Sequence, residues 1–381
     1  MMIRTGQIVS AMFLTIGILS ASCGAGVEFR KHVINADVRF EAAGVLDVNK
    51  DGKLDIFSGG FWYEAPNWTK HFVREVTEAG EYHYDFANLP VDVDGDGWTD
   101  IVNAAWHNKK VFWVRNPGKA DSAWEVIDVD EPGNMETAIL VDINGDKQPD
   151  VLPNVLGAPA FWYSFKKDPA SPKGVKWDKH ALPPQASAHG NGAGDVDGDG
   201  KCDILTPTGW LRQTGPDQWE FVGEFNLGST SIPMLVHDVD ADGDSDIVWG
   251  NGHDYGLFWM EQGKATDGKR TWTKYEIDKS WSQPHFMVFA DLDNDGVKEL
   301  VTGKRFRAHN GHDPGGNDPK CVYYYKFDPA AKKFNRNVII EGDTVAFGIN
   351  TMVIDIDGDG DLDVVCPGKS GLYLMENLLK K

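Results

Sequence analysis

An acidic nonapeptide of the form D-x-[DN]-x-D-x-x-x-[DE] recurs seven times in this 381-residue chain, and that repetition limits the folds open to it. The copies are Asp47-Asn49-Asp51-Asp55, Asp92-Asp94-Asp96-Asp100, Asp142-Asn144-Asp146-Asp150 and Asp195-Asp197-Asp199-Asp203. Three more follow: Asp238-Asp240-Asp242-Asp246, Asp291-Asp293-Asp295-Glu299 and Asp355-Asp357-Asp359-Asp363. Oxygen side chains at positions 1, 3, 5 and 9 of a tight loop are the donor set of a hard cation such as calcium. Position 6 is glycine in six copies (Gly52, Gly97, Gly200, Gly243, Gly296, Gly360), which allows a sharp turn with positive φ, and Lys147 in the third. A single Asp-Gly between apolar runs is an ordinary hairpin signal, but seven copies with every oxygen position filled are not explained that way. The EF-hand loop matches only over the first half, because the last acid falls at position 9 instead of 12 and no amphipathic helices flank it.

The first ligands are spaced by 45, 50, 53, 43, 53 and 64 residues. A period of roughly 40–50 residues built from short strands is the signature of a four-stranded propeller blade. In the first unit an apolar strand from Ala42 to Leu46 enters the loop, and a second strand runs from Leu54 to Phe57. An aromatic third strand follows Gly59-Gly60, and the fourth carries Trp68-Thr69-Lys70-His71. The third strand recurs as Phe61-Trp62-Tyr63, Phe112-Trp113, Phe161-Trp162-Tyr163, Phe258-Trp259 and Tyr323-Tyr324-Tyr325, a placement expected of packing between blades. After the seventh loop the chain supplies only two more strands, Leu362 to Cys366 and Leu372 to Met375. The missing fourth is at the other end, where Phe29 to Ile34 matches the fourth-strand pattern of Lys70-His71 and Lys179-His180. The sequence therefore predicts an all-β, seven-bladed β-propeller over residues 26–381, with an N-terminal strand completing the last blade and closing the sheet edge. His32, His71 and His180 receive structural roles from the same match.

The formal charge is −21, and 26 of the 58 acids occupy loop ligand positions, so up to seven structural calcium ions would leave an ordinary net charge. No basic face is visible, which argues against nucleic-acid binding. Residues 1–25 read as an export signal: Arg4, an apolar stretch from Ile8 to Leu19, then the small residues Ser20 to Ser22. Export places the protein in the periplasm or outside the cell. Cys23 offers a lipoprotein acylation site, and hence a membrane anchor, although the leucine lies four residues before it instead of the usual three. Of the remaining cysteines, Cys202, Cys321 and Cys366, Cys202 and Cys366 read as buried small hydrophobes, and the odd count gives no disulfide framework. Nothing in the sequence fixes the oligomeric state.

These loops resemble those of the FG-GAP/VCBS repeat proteins, in which D-x-D-x-D-G-x-x-D motifs bind calcium on propeller blades, as in integrin alpha heads. That resemblance spans residues 28–381 and implies fold and metal, but it covers adhesion modules, sugar binders and enzymes alike. The paired aromatics and Trp62-Tyr63-Glu64 also resemble the propeller of aldos-2-ulose dehydratase and of polysaccharide lyases.

Blade topology puts the acidic loops on one face. The segments entering first strands, and those joining second to third strands, fall on the other. Glu41, Glu136, His189 and His285 each stand six residues before the first ligand of their own loop, so they are expected at one height around the channel. The same face receives His83, His107, His253, Tyr255, and an insertion carrying Arg305, Arg307, His309 and His312. Three uses of this rim follow. In a carbohydrate lyase or dehydratase, an arginine would neutralise a carboxylate while a histidine or Tyr255 takes the adjacent proton. Alternatively three histidines, such as His253, His285 and one of His309 or His312, would hold a catalytic transition metal. The third use is a non-catalytic glycan-binding or adhesion propeller. No G-x-S-x-G elbow, P-loop or dinucleotide-binding glycine motif occurs.

Overall fold

Each acidic loop imposes its own hairpin, and the computed structural model, which describes residues 26–119, 123–342 and 344–380, shows how. The expected export segment and Cys23 lie outside the described residues. In all seven loops the position-1 aspartate accepts the backbone N–H of position 6, from Gly52 on Asp47 to Gly360 on Asp355. Position 6 has positive φ throughout, Lys147 included at 69°. Position 4 is left-handed as well, even where it is Lys50, Ala241 or Asn294. Two left-handed residues per loop turn the chain tightly enough to reverse a first strand into a second.

Seven four-stranded antiparallel sheets result. The first strands are Gly44–Leu46, Leu89–Val91, Ala138–Val141, Gly192–Gly194, Leu235–His237, Pro284–Ala290 and Met352–Ile354. They line the channel, with neighbours such as those of blades 1 and 2 or 4 and 5 side by side. The fourth strands form the outer wall. Blade 7 is completed by Phe29–Asn35, which pairs antiparallel with Leu372–Asn377 in the register Phe29 to Asn377 and His32 to Leu374. A parallel bridge between Ala42 and Asn350 and the bond from Ala43 N–H to the Asn350 carbonyl join blades 1 and 7.

The third-strand tryptophans Trp62, Trp113, Trp162, Trp210 and Trp259 are buried. They fill the wedges between blades: Trp62 packs with Ile101, Phe112 and Val114 of the next blade. Burial of such faces in two directions is what a blade cannot achieve alone. His71 stacks on Trp62 at 4.2 Å and His180 on Trp162 at 3.8 Å, structural positions as their sequence pattern implied. Cys202, Cys321 and Cys366 are unpaired, the last two fully buried.

Lys147 holds a conformation that costs an L-residue roughly 1–2 kcal/mol. Allowing for glycine's larger entropy in the unfolded chain, Lys147→Gly should stabilise by about 0.5–1 kcal/mol. It would appear as a higher urea midpoint at unchanged slope, and a lower midpoint contradicts this account of the loop.

Candidate functional site at the channel mouth

The segments that enter the first strands converge on the face opposite the acidic loops. There Arg305, at the end of the second strand of blade 6, is almost fully buried. Its Nε donates to Glu41 Oε1 at 2.9 Å, and its Nη1 donates to Glu136 Oε1. Burial alone would weaken its charge, but Glu41 and Glu136 outweigh that and keep the guanidinium firmly protonated. Its two carboxylates come from blades 1 and 3, so it bridges the channel.

Glu136 presents its other oxygen to histidines. His189 Nε2 touches Oε2, His285 Nε2 lies 3.1 Å from Oε2, and His253 Nε2 lies 3.5 Å from Oε1. One ligand-competent atom from each of the four residues falls within 4.8 Å of all the others. Burial would raise the Glu136 carboxyl, yet His189, His285 and Arg305 hold it well below the usual range. The wholly buried His285 is pushed down to about 3, first by burial, with Glu136 opposing. A second set, His253, His309 and Asp313, shares His253 with the first. Asp313 accepts from His253 Nδ1 and His309 Nδ1, both at 2.7 Å, and from Gln283 Nε2 at 3.1 Å.

Above this floor opens a cavity of about 400 Å³ lined by Tyr82, Phe86, Trp106, His107, Leu156, His309 and the floor groups. His107 stacks on Tyr84, and burial followed by the charge of Lys369 lowers its pKa. Lys369, whose ammonium sits 3.6 Å above the Tyr82 ring, is itself lowered to about 8 by burial.

The other rim residues are placed apart from the floor. Arg307 forks onto Glu81, with Nε 2.9 Å from Oε2, and also binds Asn317, which orders the insertion. Tyr255 donates to Asp318 at 2.5 Å. His83 packs edge-on against Phe40, and His312 is exposed.

On the opposite face the position-9 acid does more than sequence spacing implied. In every loop it accepts the position-2 N–H at 2.8–3.1 Å. In blades 1, 2, 4, 5 and 7 its other oxygen accepts an N–H at the end of the third strand. Burial pushes Asp100, Asp246 and Glu299 up to about 7 and the other four to about 6, against those N–H donors. The sequence family described as FG-GAP-like repeat matches residues 92–152 and 238–302, each match starting at a first loop aspartate. Two stretches of this chain therefore match FG-GAP-like repeats. No curated protein matches it. Among solved structures, an exotype rhamnogalacturonan lyase, YesX, is similar with a TM-score of 0.50 at 14% identity, over 89% of this chain and 72% of that one. BBS1N, solved in complex with ARL6DN, gives a TM-score of 0.44 at 10% identity, over 92% and 96% of the two chains.

The FG-GAP-like loops suit a hard cation by their donors. In the loops starting at Asp92, Asp195 and Asp238, carboxylate oxygens from positions 1, 3 and 5 lie within 4.8 Å of one another. Asp92 Oδ1, Asp240 Oδ1 and Asp293 Oδ1 are buried without a hydrogen-bond donor. Basic side chains also reach these loops, Arg115 to Asp94 at 2.6 Å and Arg212 to Asp197 at 2.7 Å.

Sequence spacing located Glu41, Glu136, His189 and His285. It could not assign Asp313 its partners or reveal Lys369 and Leu156, which sit in loops with no fixed offset from a repeat. Arg305→Met should cost about 3–5 kcal/mol, because it strands two buried carboxylates. Adding Glu41→Gln should recover part of that loss in urea unfolding, and full stability of Arg305→Met alone would refute the bridge.

Proposed function

We propose that this propeller is an exported carbohydrate-acting lyase or dehydratase, with its site at the channel mouth and its acidic loops stapled by structural calcium. The observation that carries the reading is the cavity itself, which combines aromatic walls with a titratable floor. Tyr82, Phe86 and Trp106 offer ring faces for the apolar faces of a sugar. His309 lines the same space, and Asp313 holds its Nδ1 proton, so Nε2 is left with a lone pair. That is the arrangement of a general base.

In the elimination, His309 Nε2 takes the proton from the carbon next to a carbonyl or carboxyl group. The electrons of that C–H bond become the new C=C bond, and the neighbouring C–O bond breaks with its electrons on oxygen. The departing oxygen takes a proton back from the His309 imidazolium, so the base is regenerated. The similarity to a rhamnogalacturonan lyase shows that such a propeller can accompany sugar chemistry; it supports the fold and no more.

Oligosaccharides with and without uronic acids should separate the possibilities, with the new double bond followed by ultraviolet absorbance. His309→Ala should lower turnover by about 10²–10⁴-fold with an unchanged melting curve. Saturable sugar binding without any product would sink the lyase reading in favour of a glycan-binding propeller.

The calcium part has its own test. An ion present at about 100 times its Kd adds about 2.7 kcal/mol per site, so excess chelator should lower the melting temperature by about 10 °C or more. An unchanged curve would remove the calcium staples.

A further inference from the structure

The channel floor has an imbalance of hydrogen atoms that the protein's own groups do not correct. His189 Nδ1 lies 2.7 Å from the Thr230 carbonyl, which can only accept, so Nδ1 carries the ring proton. His253 Nδ1 faces the Asp313 carboxylate at 2.7 Å with the same result. In their neutral forms both rings therefore present a lone pair at Nε2, and these two atoms are 2.9 Å apart. Both face the Glu136 carboxylate, His189 at Oε2 and His253 at 3.5 Å from Oε1, and Oε2 is a buried acceptor with no hydrogen-bond donor of good geometry. His285 is wholly buried, and neither of its nitrogens has a hydrogen-bond partner of good geometry, Nε2 lying 3.1 Å from Glu136 Oε2. A buried polar atom left unpaired costs about 1–3 kcal/mol, and here several face one point. Glu41 and Glu136 share the Arg305 guanidinium, Lys369 acts on Glu41, and among the described residues no lysine or arginine pairs with Glu136 Oε2.

A positive centre is what the cluster lacks. One proton between His189 and His253 would relieve that pair, but it would leave His285 unpartnered. We infer that Glu136, His189, His253 and His285 bind one divalent transition metal, with its open side toward the cavity. Three imidazoles and one carboxylate select a borderline ion such as zinc, manganese, iron or cobalt over calcium, which takes oxygen donors. Metal–nitrogen bonds of about 2.0–2.1 Å put tetrahedral ligands about 3.3 Å apart, within reach of the present spacing. The Thr230 carbonyl and the Asp313 carboxylate fix two of the rings, the outer-shell support that metal-bound histidines regularly have. As a binding site the centre stands on this geometry alone. Its chemical use, polarising the substrate oxygen next to the carbon that His309 deprotonates, rests on the lyase reading.

The test uses the full protein in calcium-containing buffer, stripped with a chelator selective for transition metals and titrated with cobalt(II). The centre predicts about one cobalt per chain with visible d–d absorption. His189→Ala and His253→Ala, both only partly buried, should abolish that spectrum with the melting curve retained. Asp313→Asn should weaken cobalt affinity about 10–100-fold without changing stoichiometry, whereas Asp94→Asn, in an acidic loop, should leave cobalt binding intact. Folded wild type that takes up no cobalt overturns the centre, as do alanine variants that bind it normally. Cobalt binding without turnover on any sugar keeps the centre and removes only the lyase reading, while turnover by wild type free of transition metal overturns the centre's catalytic use.

Discussion

One buried carboxylate per blade fixes the height at which everything else sits. The position-9 acid is out of water, and its ionised form is tolerable there because backbone N–H groups point at it. In blades 1, 2, 4, 5 and 7 its two bonds tie the acidic-loop turn to the third strand, so loop and sheet cannot slide there. A neighbouring amide then carries the constraint across blades. Asn116 Nδ2 donates to the Val48 carbonyl of the previous blade, Gln213 Nε2 to Ile143, and Asn377 Nδ2 to Leu292. Each of those carbonyls belongs to position 2 of a loop, the residue whose N–H the position-9 acid already holds. The blades are thus indexed to one another through a single repeated residue.

This indexing explains what could be read from sequence. Counting back six residues from a loop works because the first strand is short and its exit is pinned. Glu41 and Glu136 therefore meet at Arg305, and His189 and His285 meet at Glu136, as their shared offset implied. His253 and Asp313 belong to segments joining second to third strands, whose lengths differ from blade to blade. Their approach depends on loop conformations, including the left-handed Arg307, His309 and Asn310 of the insertion, that no periodicity encodes. The left-handed state of position 4 was equally hidden. It is occupied by Lys50, Ala241 and Asn294 as readily as by glycine, because the position-1 carboxylate, which takes the N–H of position 6, dictates the backbone there.

The two faces separate two kinds of cation chemistry by donor type. The loops offer almost nothing but carboxylate and amide oxygens near solvent, where the charge of several acids accumulates. The channel floor offers mostly imidazole nitrogen beside one carboxylate, under aromatic walls. A hard ion gains little from the second set, and a borderline ion loses its nitrogen preference in the first. Donor type alone would therefore keep the two proposed ions apart.

Arg305 is what makes the floor directional. It takes Glu136 Oε1 and leaves Oε2 facing His189 and His285, so the carboxylate cannot turn to serve both neighbours with the same atom. Its second partner, Glu41, comes from blade 1, beside the joint where the N-terminal strand closes the ring, and the Glu41 carbonyl accepts the Ile349 N–H of blade 7. Closure of the propeller and orientation of Glu136 are therefore linked through one side chain.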